Sequence, residues 1–465
     1  MNLERAINNM KTINKFFIIF FTSLFLVLLL GCGKEKKEVK DKVHTELGLF
    51  TSDPYFSDES FVPTIRFTVS SDVHTGNTRS KNAQAVTRMI NFVDEYMKSS
   101  PYKVLDATLF AGDIADNGSE MLWNAFKEEL YNRKDENTEA LIVMGNHDFR
   151  SYFDNSESRF SELFNTPSDF HKVINGFHFI CLSPSDETSF SKEKVEWLDK
   201  ELEQASIADP NKPIFVMQHM NVAGTIVGSD GWGVSNLTGV LSKYPQVVDF
   251  SGHSHFSIKD PRSIYQGSFT ALGTGTMFYY ETGLLGYKKT GLYPIDEFGS
   301  FSESAQNALS GVEFYIVEVD KENAVRITGV DLISNTIILR YGIKNPSNKD
   351  SFTYTSKRFN ESSSPYFLDD YEIEATIYDD SFILKVSQAY SHDLIESYSF
   401  EVVDEENNKK MFYTLSGYYM YPMPEYVMVT LNGLKSATKY TINIYAITCY
   451  GNRNDKPLSI TLTTK

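Results

Sequence analysis

The stretch Leu141-Ile-Val-Met-Gly-Asn-His-Asp148 decides the fold that this sequence predicts. Its first four residues form an apolar run that is typical of a buried strand in a parallel sheet. The amide, imidazole and carboxylate that follow cannot all stay in an apolar core, so they should emerge where the strand ends. Ligands of open α/β sheets bind at the carboxyl ends of the strands. The stretch therefore predicts an α/β sheet with a functional site at that edge.

Four further stretches repeat this pattern of an apolar run followed by polar residues. They are Asp72-Val-His74, Gly112-Asp113-Ile-Ala-Asp116, Gln218-His219 and Gly252-His253-Ser-His255. Together with His147, they contain five of the nine histidines of the chain. One such stretch alone is most often a surface or structural feature. Five of them in register at successive strand ends predict one shared site.

The segments between these stretches alternate strands and helices. Apolar runs predict six strands, at residues 65–70, 107–111, 141–144, 177–182, 214–217 and 247–250. Amphipathic segments lie between them, and in one of these Val195, Leu198 and Leu202 recur at helical spacing behind Ser191 as the helix N-cap. After Tyr265 short strands replace the helices. The alternation predicts a layered α/β domain over residues 64–345.

The donor types in the five stretches indicate metal ions. Imidazole, carboxylate and amide oxygen together suit divalent first-row metals, whereas Mg²⁺ and Ca²⁺ prefer sites made of oxygen alone. None of the stretches contains cysteine, which argues against a structural zinc site. The donors are numerous enough for two ions, so we expect a dinuclear metal site at the strand ends.

In this order the motifs resemble those of the calcineurin-like metallophosphoesterases, over about residues 64 to 340. The resemblance implies a four-layer α-β-β-α sandwich and two divalent ions, with Mn, Fe or Zn as the expected metals. It also implies a ligand set, residue by residue. One ion would be held by Asp72, His74 and His255 and the other by Asn146, His219 and His253, with Asp113 bridging both.

The same resemblance implies roles for the remaining polar residues. His147, beside a ligand but not itself one, would face the substrate phosphate and act as the acid. Asp116 and Asp148 would orient imidazoles or ligands from outside, with helix-cap or strand-end polar groups as the alternative. Two ions about 3.5–4 Å apart would generate a bridging hydroxide that attacks the phosphate ester. The expected activity is metal-dependent hydrolysis of phosphate esters.

The N-terminal residues resemble a bacterial lipoprotein signal. Lys11 and Lys15 precede an apolar run that is short for a membrane span, and Leu29-Leu30-Gly31-Cys32 is similar to a lipobox. Residues 1–31 would be removed and Cys32 lipidated, with an uncleaved signal anchor as the alternative. Residues 32–63 are charged and aperiodic and predict a solvated tether. The expected location is the extracellular face of the bacterial cytoplasmic membrane, with lipidated Cys32 in contact with the membrane.

The last part of the chain alternates short strands and polar turns. Residues 346–364 predict a linker, and six or seven strands within residues 365–465 predict an all-β, immunoglobulin-like sandwich. The run around Tyr440 resembles a fibronectin type III module, whose tyrosine corner this residue would form. Without a titratable cluster there, we expect a spacer or a module that contacts a glycan or a protein. Cys181 and Cys449 fall in different domains and are expected to be buried free thiols.

Composition and motifs together favour a surface-anchored phosphohydrolase. A formal charge of −17 without Lys/Arg clusters argues against a surface that coats nucleic acid. An anionic substrate remains compatible, because bound metal ions override net charge locally. Extracellular phosphodiesters are the expected substrates. A phosphomonoesterase or nucleotidase of the same fold is one alternative, and a non-catalytic surface protein that binds through its C-terminal sandwich is another.

Overall fold

The computed structural model describes residues 49–76, 81–151, 154–281, 309–420 and 422–465. The predicted signal sequence, Cys32 and most of the predicted tether lie outside these residues. Within the described part of the chain, no helix combines the length and apolar character that crossing a bilayer requires. Cys181 and Cys449 are both buried free thiols, as predicted.

The first domain contains fourteen strands and seven α-helices among the described residues. The strands are β1 (Pro63–Ser70), β2 (Ala107–Ala111), β3 (Glu139–Val143), β4 (Asp169–Ile174), β5 (Phe177–Leu182), β6 (Ile214–Gln218), β7 (Val247–Ser251), β8 (Ile264–Gln266), β9 (Thr270–Gly273), β10 (Tyr279–Tyr280), β11 (Leu309–Ser310), β12 (Glu313–Asp320), β13 (Val325–Asp331) and β14 (Thr336–Ile343). The helices are α1 (Lys81–Ser99), α2 (Glu120–Arg133), α3 (Asn146–Phe149), α4 (Ser156–Phe164), α5 (Lys192–Ala208), α6 (Ser229–Trp232) and α7 (Thr238–Leu241).

Twelve of these strands form two six-stranded sheets. The first sheet has the order β14-β13-β12-β1-β2-β3, with β1, β2 and β3 parallel and the rest antiparallel. The second has the order β4-β5-β6-β7-β9-β8, with a parallel centre from β5 to β9. The carboxyl ends of both parallel centres are where ligands of such sheets bind.

The two sheets stack face to face, and helices cover both outer faces. Between the sheets, the Phe67 ring lies 5.0 Å from that of Phe179 and 4.7 Å from that of Phe215. On the outside of the first sheet, α1, α2 and α4 bury an apolar cluster around Trp123. On the outside of the second, α5 begins at the predicted N-cap Ser191 and buries Leu198. The predicted four-layer α-β-β-α sandwich is confirmed.

A hairpin at the edge of the second sheet is missing from the sequence-based assignment. Strands β4 and β5 pair antiparallel around Asn175 and Gly176, whose φ angles are 50° and 76°. An Asn-Gly pair favours a two-residue hairpin turn because both residues tolerate positive φ. The dipeptide was therefore available as a signal. It was overlooked because β4 is only partly buried and carries no continuous apolar run.

Residues 49–63 differ from the predicted solvated tether. Leu49 is buried in the core between the sheets, and Phe56 and Phe61 are buried against Ala324. Asp53 caps the short 3-10 helix Pro54–Phe56 by accepting a hydrogen bond from the Tyr55 amide. These aromatic residues are too widely spaced to show a period, but each finds an apolar partner in the folded domain. The folded domain therefore starts earlier than expected.

The last seven strands form the predicted all-β sandwich. They are β15 (Ile373–Ile377), β16 (Phe382–Ser387), β17 (Ile395–Asp404), β18 (Lys409–Leu415), β19 (Tyr426–Leu431), β20 (Lys439–Thr448) and β21 (Leu458–Thr463). One sheet has the order β15-β16-β19 and the other β18-β17-β20-β21. The Tyr440 hydroxyl accepts a hydrogen bond from the Lys435 amide at 2.8 Å, which is the geometry of a tyrosine corner. The immunoglobulin-like, fibronectin type III-like sandwich is confirmed.

The predicted linker, residues 346–364, is folded onto the first domain. It contains the 3-10 helix Lys349–Ser351 and α8 (Lys357–Glu361). Arg358 donates hydrogen bonds to the carbonyl oxygens of Pro261 and Ile264, at 2.9 and 2.6 Å. The composition of the segment is polar because it lies at the surface, but these side-chain hydrogen bonds hold it against the first domain.

The C-terminal sandwich is joined to the first domain by buried cations. Lys259 Nζ lies 2.8 Å from Asp331 Oδ2 and 2.6 Å from the carbonyl oxygen of Tyr419. Arg262 bonds Glu396 at 2.9 Å and the carbonyl oxygen of Cys449 at 2.6 Å. Both cations belong to the first domain, whereas Tyr419, Glu396 and Cys449 belong to the second. The sandwich is therefore an integral part of the folded body.

Replacing Lys259 with methionine should destabilise the chain markedly. The side chain is 2% exposed, and its removal leaves the buried carboxylate of Asp331 without its cation. Breaking a buried ion pair from one side costs about 3–5 kcal/mol. Urea unfolding of Lys259→Met should show this loss, while the matched variant Lys409→Met, which removes an exposed pair with Glu401, should lose about 1 kcal/mol or less. Equal stabilities of the two variants would contradict the buried-pair account.

Candidate metal centre

The five polar stretches all meet at one edge of the sandwich. Asp72, Asp113 and Asn146 follow β1, β2 and β3 in the first sheet, and His219 and His253 follow β6 and β7 in the second. The facing ends of the two parallel centres thus bring residues distant in sequence into one cluster. The shared site that the repeated pattern predicted is at this edge.

Five of the seven predicted ligands have a left-handed backbone. The φ angles are 55° at Asp72, 46° at His74, 50° at Asp113, 67° at His253 and 53° at His255. Residues other than glycine rarely adopt this backbone conformation, because their Cβ atom comes too close to the neighbouring backbone. Such strain persists only where the surroundings impose it, and it concentrates at functional sites. The backbone itself therefore marks these positions as functional.

The first group of donors contains Asp72, His74, Asp113 and His255. The His255 Nε2 atom lies 3.0 Å from Asp72 Oδ1 and 3.1 Å from His74 Nε2. His74 Nε2 is also 3.7 Å from Asp113 Oδ2. All four residues are buried, and one donor atom from each lies within 4.8 Å of the others. They are close enough to coordinate one ion.

The second group contains Asn146, His219 and His253. The Asn146 Oδ1 atom lies 3.0 Å from His219 Nε2 and 2.8 Å from His253 Nδ1. Asp113 Oδ2 is 3.3 Å from His219 Nε2, so the same carboxylate oxygen touches both groups. Asp113 accordingly lies where a bridging ligand would be. The predicted division of the seven donors into two ligand sets is compatible with this arrangement and stays a prediction.

Hydrogen bonds behind the imidazoles fix which nitrogen faces the centre. Nδ1 of His219 donates to the carbonyl oxygen of Ala111 at 2.8 Å, and Nδ1 of His255 donates to that of Tyr279 at 3.0 Å. These bonds leave Nε2 of both rings as the ligand atom. Asp116 Oδ1 lies 3.2 Å from His74 Nδ1, which is an ion-pair distance without a hydrogen bond, so the predicted role of Asp116 as an outer carboxylate stays a prediction.

Asp116 also belongs to a second cluster with His74 and His147 that is close enough to hold an ion. The side chain of Asp116 is 47% exposed, and it approaches His74 on the nitrogen that faces away from the main centre. A carboxylate in that position lies outside the main group of donors. The buried group around Asp113 is the better ion site.

Among the described residues, Asp148 forms hydrogen bonds with backbone amides and an indole and none with an imidazole. Its carboxylate accepts hydrogen bonds from the amides of Gly145, Ile114 and Ala115 and from the Trp123 indole. It thereby ties the loop after β2 to the loop after β3. Burial and the neighbouring Asp113 charge raise the pKa of Asp148 to about 6, although its hydrogen bonds act in the opposite direction. This arrangement corresponds to the strand-end polar group that the sequence left open.

His147 stands at the opening of the cluster. Its Nε2 lies 4.0 Å from Asp113 Oδ2, and its side chain is 25% exposed, whereas that of Asp113 is buried. Its Nδ1 lies 3.1 Å from the carbonyl oxygen of Asp116, and its amide donates to Asp113 Oδ1 at 2.8 Å. The ring therefore faces both the carboxylate shared by the two groups and solvent. A substrate that entered from solvent would meet it.

Burial and charge set the protonation of the donors. Burial alone would raise the pKa of Asp113, but the positive charge of His219 outweighs it and holds that pKa well below the usual range. In turn, the Asp113 charge overcomes burial and raises the pKa of His219 to about 9. Burial lowers the pKa of His253 to about 4. An ion that binds here displaces the proton of His219, so binding should release protons.

Two glycines make room for the donors. A Cβ at Gly145 would lie 2.3 Å from the amide nitrogen and from Oδ1 of Asp113, and one at Gly252 would lie 2.5 Å from Asp72 Oδ2. Real Cβ atoms do not approach other atoms so closely. The glycines of the Gly-Asn-His and Gly-His motifs are therefore required by the close approach of the loops beneath the donors.

Two aromatic residues at the centre escaped the sequence analysis. The Tyr279 ring lies 4.2 Å from that of His255 between centroids, and the Phe278 ring lies 5.9 Å from that of His74. They belong to the segment that follows β9, which is a further strand end at the same edge. The signal was therefore present, but the segment contains no histidine to mark it as part of the site.

The donor set fits divalent metal ions. Imidazole nitrogens and amide oxygen lie about 3 Å from one another here, beside the carboxylates, and this mixture of donors suits divalent first-row metals. A four-layer α-β-β-α sandwich with a cluster able to bind two metal ions at its strand ends defines the metallophosphoesterase class. A family profile described as calcineurin-like phosphoesterase matches residues 65–257. The chain thus carries a calcineurin-like phosphoesterase domain.

Individual proteins show more distant similarity. A probable glycerophosphodiester phosphodiesterase of Arcobacter nitrofigilis is 28% identical over 167 residues, which cover 32% of this chain and 56% of that protein. A purple acid phosphatase of yellow lupin (Lupinus luteus) superposes with a TM-score of 0.40 and 12% identity, over 60% of this chain and 53% of its own. The fifth fibronectin domain of Drosophila Lar matches 22% of this chain over 96% of its own, with 19% identity and a TM-score of 0.16.

Proposed function

We propose that this chain is a surface-anchored phosphohydrolase with a dinuclear metal site, which cleaves extracellular phosphate esters, phosphodiesters in particular. The observation that carries the proposal is the Asp113 carboxylate, which touches donors of both ligand groups. A shared carboxylate would hold two ions side by side, the arrangement that hydrolytic two-metal sites use. A protein that used metal only for stability would not need His147 open to solvent above that carboxylate.

The residues around the metal centre would have separate roles in hydrolysis. Two divalent ions, when bound, supply a nucleophile from water and neutralise the phosphoryl oxygens. Asp113 keeps the two ligand groups together, and the bonds of His219 and His255 to backbone carbonyls hold their ligand nitrogens in place. His147 donates a proton to the leaving oxygen or stabilises its charge. Phe278 and Tyr279 place aromatic rings against His74 and His255 on one side of the centre.

Preference for diesters is supported by the phosphodiesterase of Arcobacter nitrofigilis, although this chain spans only 56% of its length. Hydrolysis of monoesters by the same residues is the alternative, because both reactions use the same ligands and acid. A non-catalytic surface protein is disfavoured, since the seven predicted donors are buried or partly buried at the strand ends. Anchoring at the outer face of the cytoplasmic membrane is supported by Leu29-Leu30-Gly31-Cys32.

One assay tests activity, metal and location together. The full chain is expressed, and its membrane and soluble fractions are chelated and reloaded with Mn²⁺, Zn²⁺, Fe²⁺ or Mg²⁺. We expect hydrolysis of bis(p-nitrophenyl) phosphate to be lost on chelation, restored by at least one metal and associated with the membranes. No hydrolysis of any ester under any metal would refute the enzyme. Faster hydrolysis of p-nitrophenyl phosphate would favour the monoesterase, and activity in the soluble fraction would refute the anchor.

A further inference from the structure

An arginine at the mouth of the metal centre has no part in the predicted ligand set. Arg150 directly follows α3, the short helix that begins with Asn146. Its Nη1 atom lies 2.7 Å from Nε2 of His147 and 3.2 Å from Nδ1 of the same ring. Nε2 of His147 is also the atom that faces Asp113. The guanidinium is therefore placed on the side of the centre where substrate and leaving group would enter.

The other partner of Arg150 is easily replaced. Its Nε donates to Glu187 Oε2 at 3.2 Å, and the two side chains are 47% and 51% exposed. An exposed ion pair of this kind contributes little to stability. A phosphate or carboxylate oxygen of a substrate offers the same acceptor with a better-defined geometry, because arginine binds such groups with two parallel N–H donors. An incoming anion can thus take the place of Glu187.

The charge of the surroundings gives this arginine a specific use. The four carboxylates of Asp72, Asp113, Asp116 and Asp148 carry a charge that two bound divalent ions would offset, which leaves the ions no excess positive charge for a substrate. Arg150 is a further positive charge at the opening, where its Nη1 atom lies 2.7 Å from Nε2 of His147. It would favour a substrate that carries a further negative charge, which it can neutralise through a charge-assisted hydrogen bond.

We propose that Arg150 contacts the substrate and favours phosphate esters that carry a second negative charge. That charge lies either on the reacting phosphoryl group, as in a monoester, or on the leaving group of a diester. The proposal rests on the proposed hydrolytic function and adds a specificity residue to it. Glu187 forms an ion pair with the Arg150 guanidinium in the absence of substrate, and the substrate displaces Glu187 when it binds.

Matched substrates separate the two sources of the charge. Methyl p-nitrophenyl phosphate and p-nitrophenyl phosphate share a leaving group and differ by one charge on the phosphoryl group. Methyl 2-carboxy-4-nitrophenyl phosphate adds the charge to the leaving group instead. For Arg150→Ala, the preference in kcat/KM for one of the doubly charged esters over methyl p-nitrophenyl phosphate should fall about 10- to 100-fold. The ester whose advantage falls identifies where the second charge lies.

Two further variants and one binding measurement complete the test. Glu187→Gln should lower KM for the same doubly charged ester, since it removes the competing carboxylate. Arg133→Ala, which breaks an exposed ion pair between Arg133 on α2 and Asp94 on α1, should leave all preferences unchanged. Calorimetry with inorganic phosphate and the metal-loaded chain should show weaker binding in Arg150→Ala.

The outcomes distinguish this proposal from the proposed function. An equal loss on all three esters in Arg150→Ala would overturn the specificity role and indicate that Arg150 only positions His147. Unchanged preferences together with unchanged phosphate binding would overturn any contact with substrate. A wild-type chain that hydrolyses none of the esters would refute the proposed function, and phosphate binding that still weakens in Arg150→Ala would then leave Arg150 as an anion-binding residue.

Discussion

Asp113→Asn is expected to abolish hydrolysis and to reduce metal binding at both positions. The substitution keeps the shape of the side chain but removes the negative charge of the carboxylate. The Oδ2 atom of that carboxylate lies 3.3 Å from His219 Nε2 and 3.7 Å from His74 Nε2. Because that oxygen serves both ligand groups, its loss should lower kcat/KM by about 10³-fold or more, as several kcal/mol of metal-dependent stabilisation disappear. Metal content after dialysis, measured by mass spectrometry, should fall well below two ions per chain.

The control for this variant is Asp135→Asn, which changes an exposed carboxylate bonded to Asn137 in the loop before β3. It should keep full metal content and full turnover. His219→Ala should also abolish hydrolysis, but it should release chiefly the ion of the second group, because His219 contacts Asn146 and Asp113 only from that side. An active Asp113→Asn chain with two ions would show that the carboxylate does not bridge them.

His147→Ala is expected to keep both ions and to lose about 10²–10⁴-fold in rate, the range that a positioned general acid contributes. The ring lies outside both ligand groups, with Nε2 at 4.0 Å from Asp113 Oδ2 and its side chain partly open to solvent. The loss should grow with the basicity of the leaving group, because a poor leaving group needs the proton most. Comparison of phenyl and p-nitrophenyl esters measures this dependence.

A loss of metal in His147→Ala would instead show that the residue holds the loop through its amide bond to Asp113 Oδ1. Full turnover would show that another group supplies the proton. A loss that is the same for both leaving groups would indicate charge stabilisation without proton transfer. Each of these three outcomes would give His147 a different role, and none of them agrees with its being the acid.

The fold and the shared position of the polar stretches could be predicted because they depend on local patterns, whereas the ligand set follows from the family resemblance and stays a prediction. Leu141 to Met144 is an apolar run that can only be buried, and the polar residues after it can only be at its end. The same reasoning holds for Asp72, Asp113, His219 and His253, each of which follows a buried strand. Since parallel strands end at one edge, five local patterns are enough to predict one site.

The parts that escaped prediction depend on contacts between distant residues. The carbonyl oxygens of Ala111 and Tyr279 orient His219 and His255, but any residue type could supply a carbonyl. Leu49 is buried by strands that come much later in the chain, so its surroundings in sequence look like tether. The contact between Arg150 and His147 depends on the direction in which one side chain folds back after α3. None of these features leaves a periodic trace.

The buried cations Lys259 and Arg262 limit recombination that would remove or replace the C-terminal β-sandwich. A β-sandwich module can be gained or lost by recombination at a linker only if both neighbours fold without it. Here Tyr419 and Cys449 contribute carbonyl oxygens, and Glu396 a carboxylate, to cations of the preceding domain. A joint placed in residues 346–364 would leave those cations short of partners and would uncover Tyr280, which packs against Tyr419. Descent should therefore have kept the two domains together as one inherited unit.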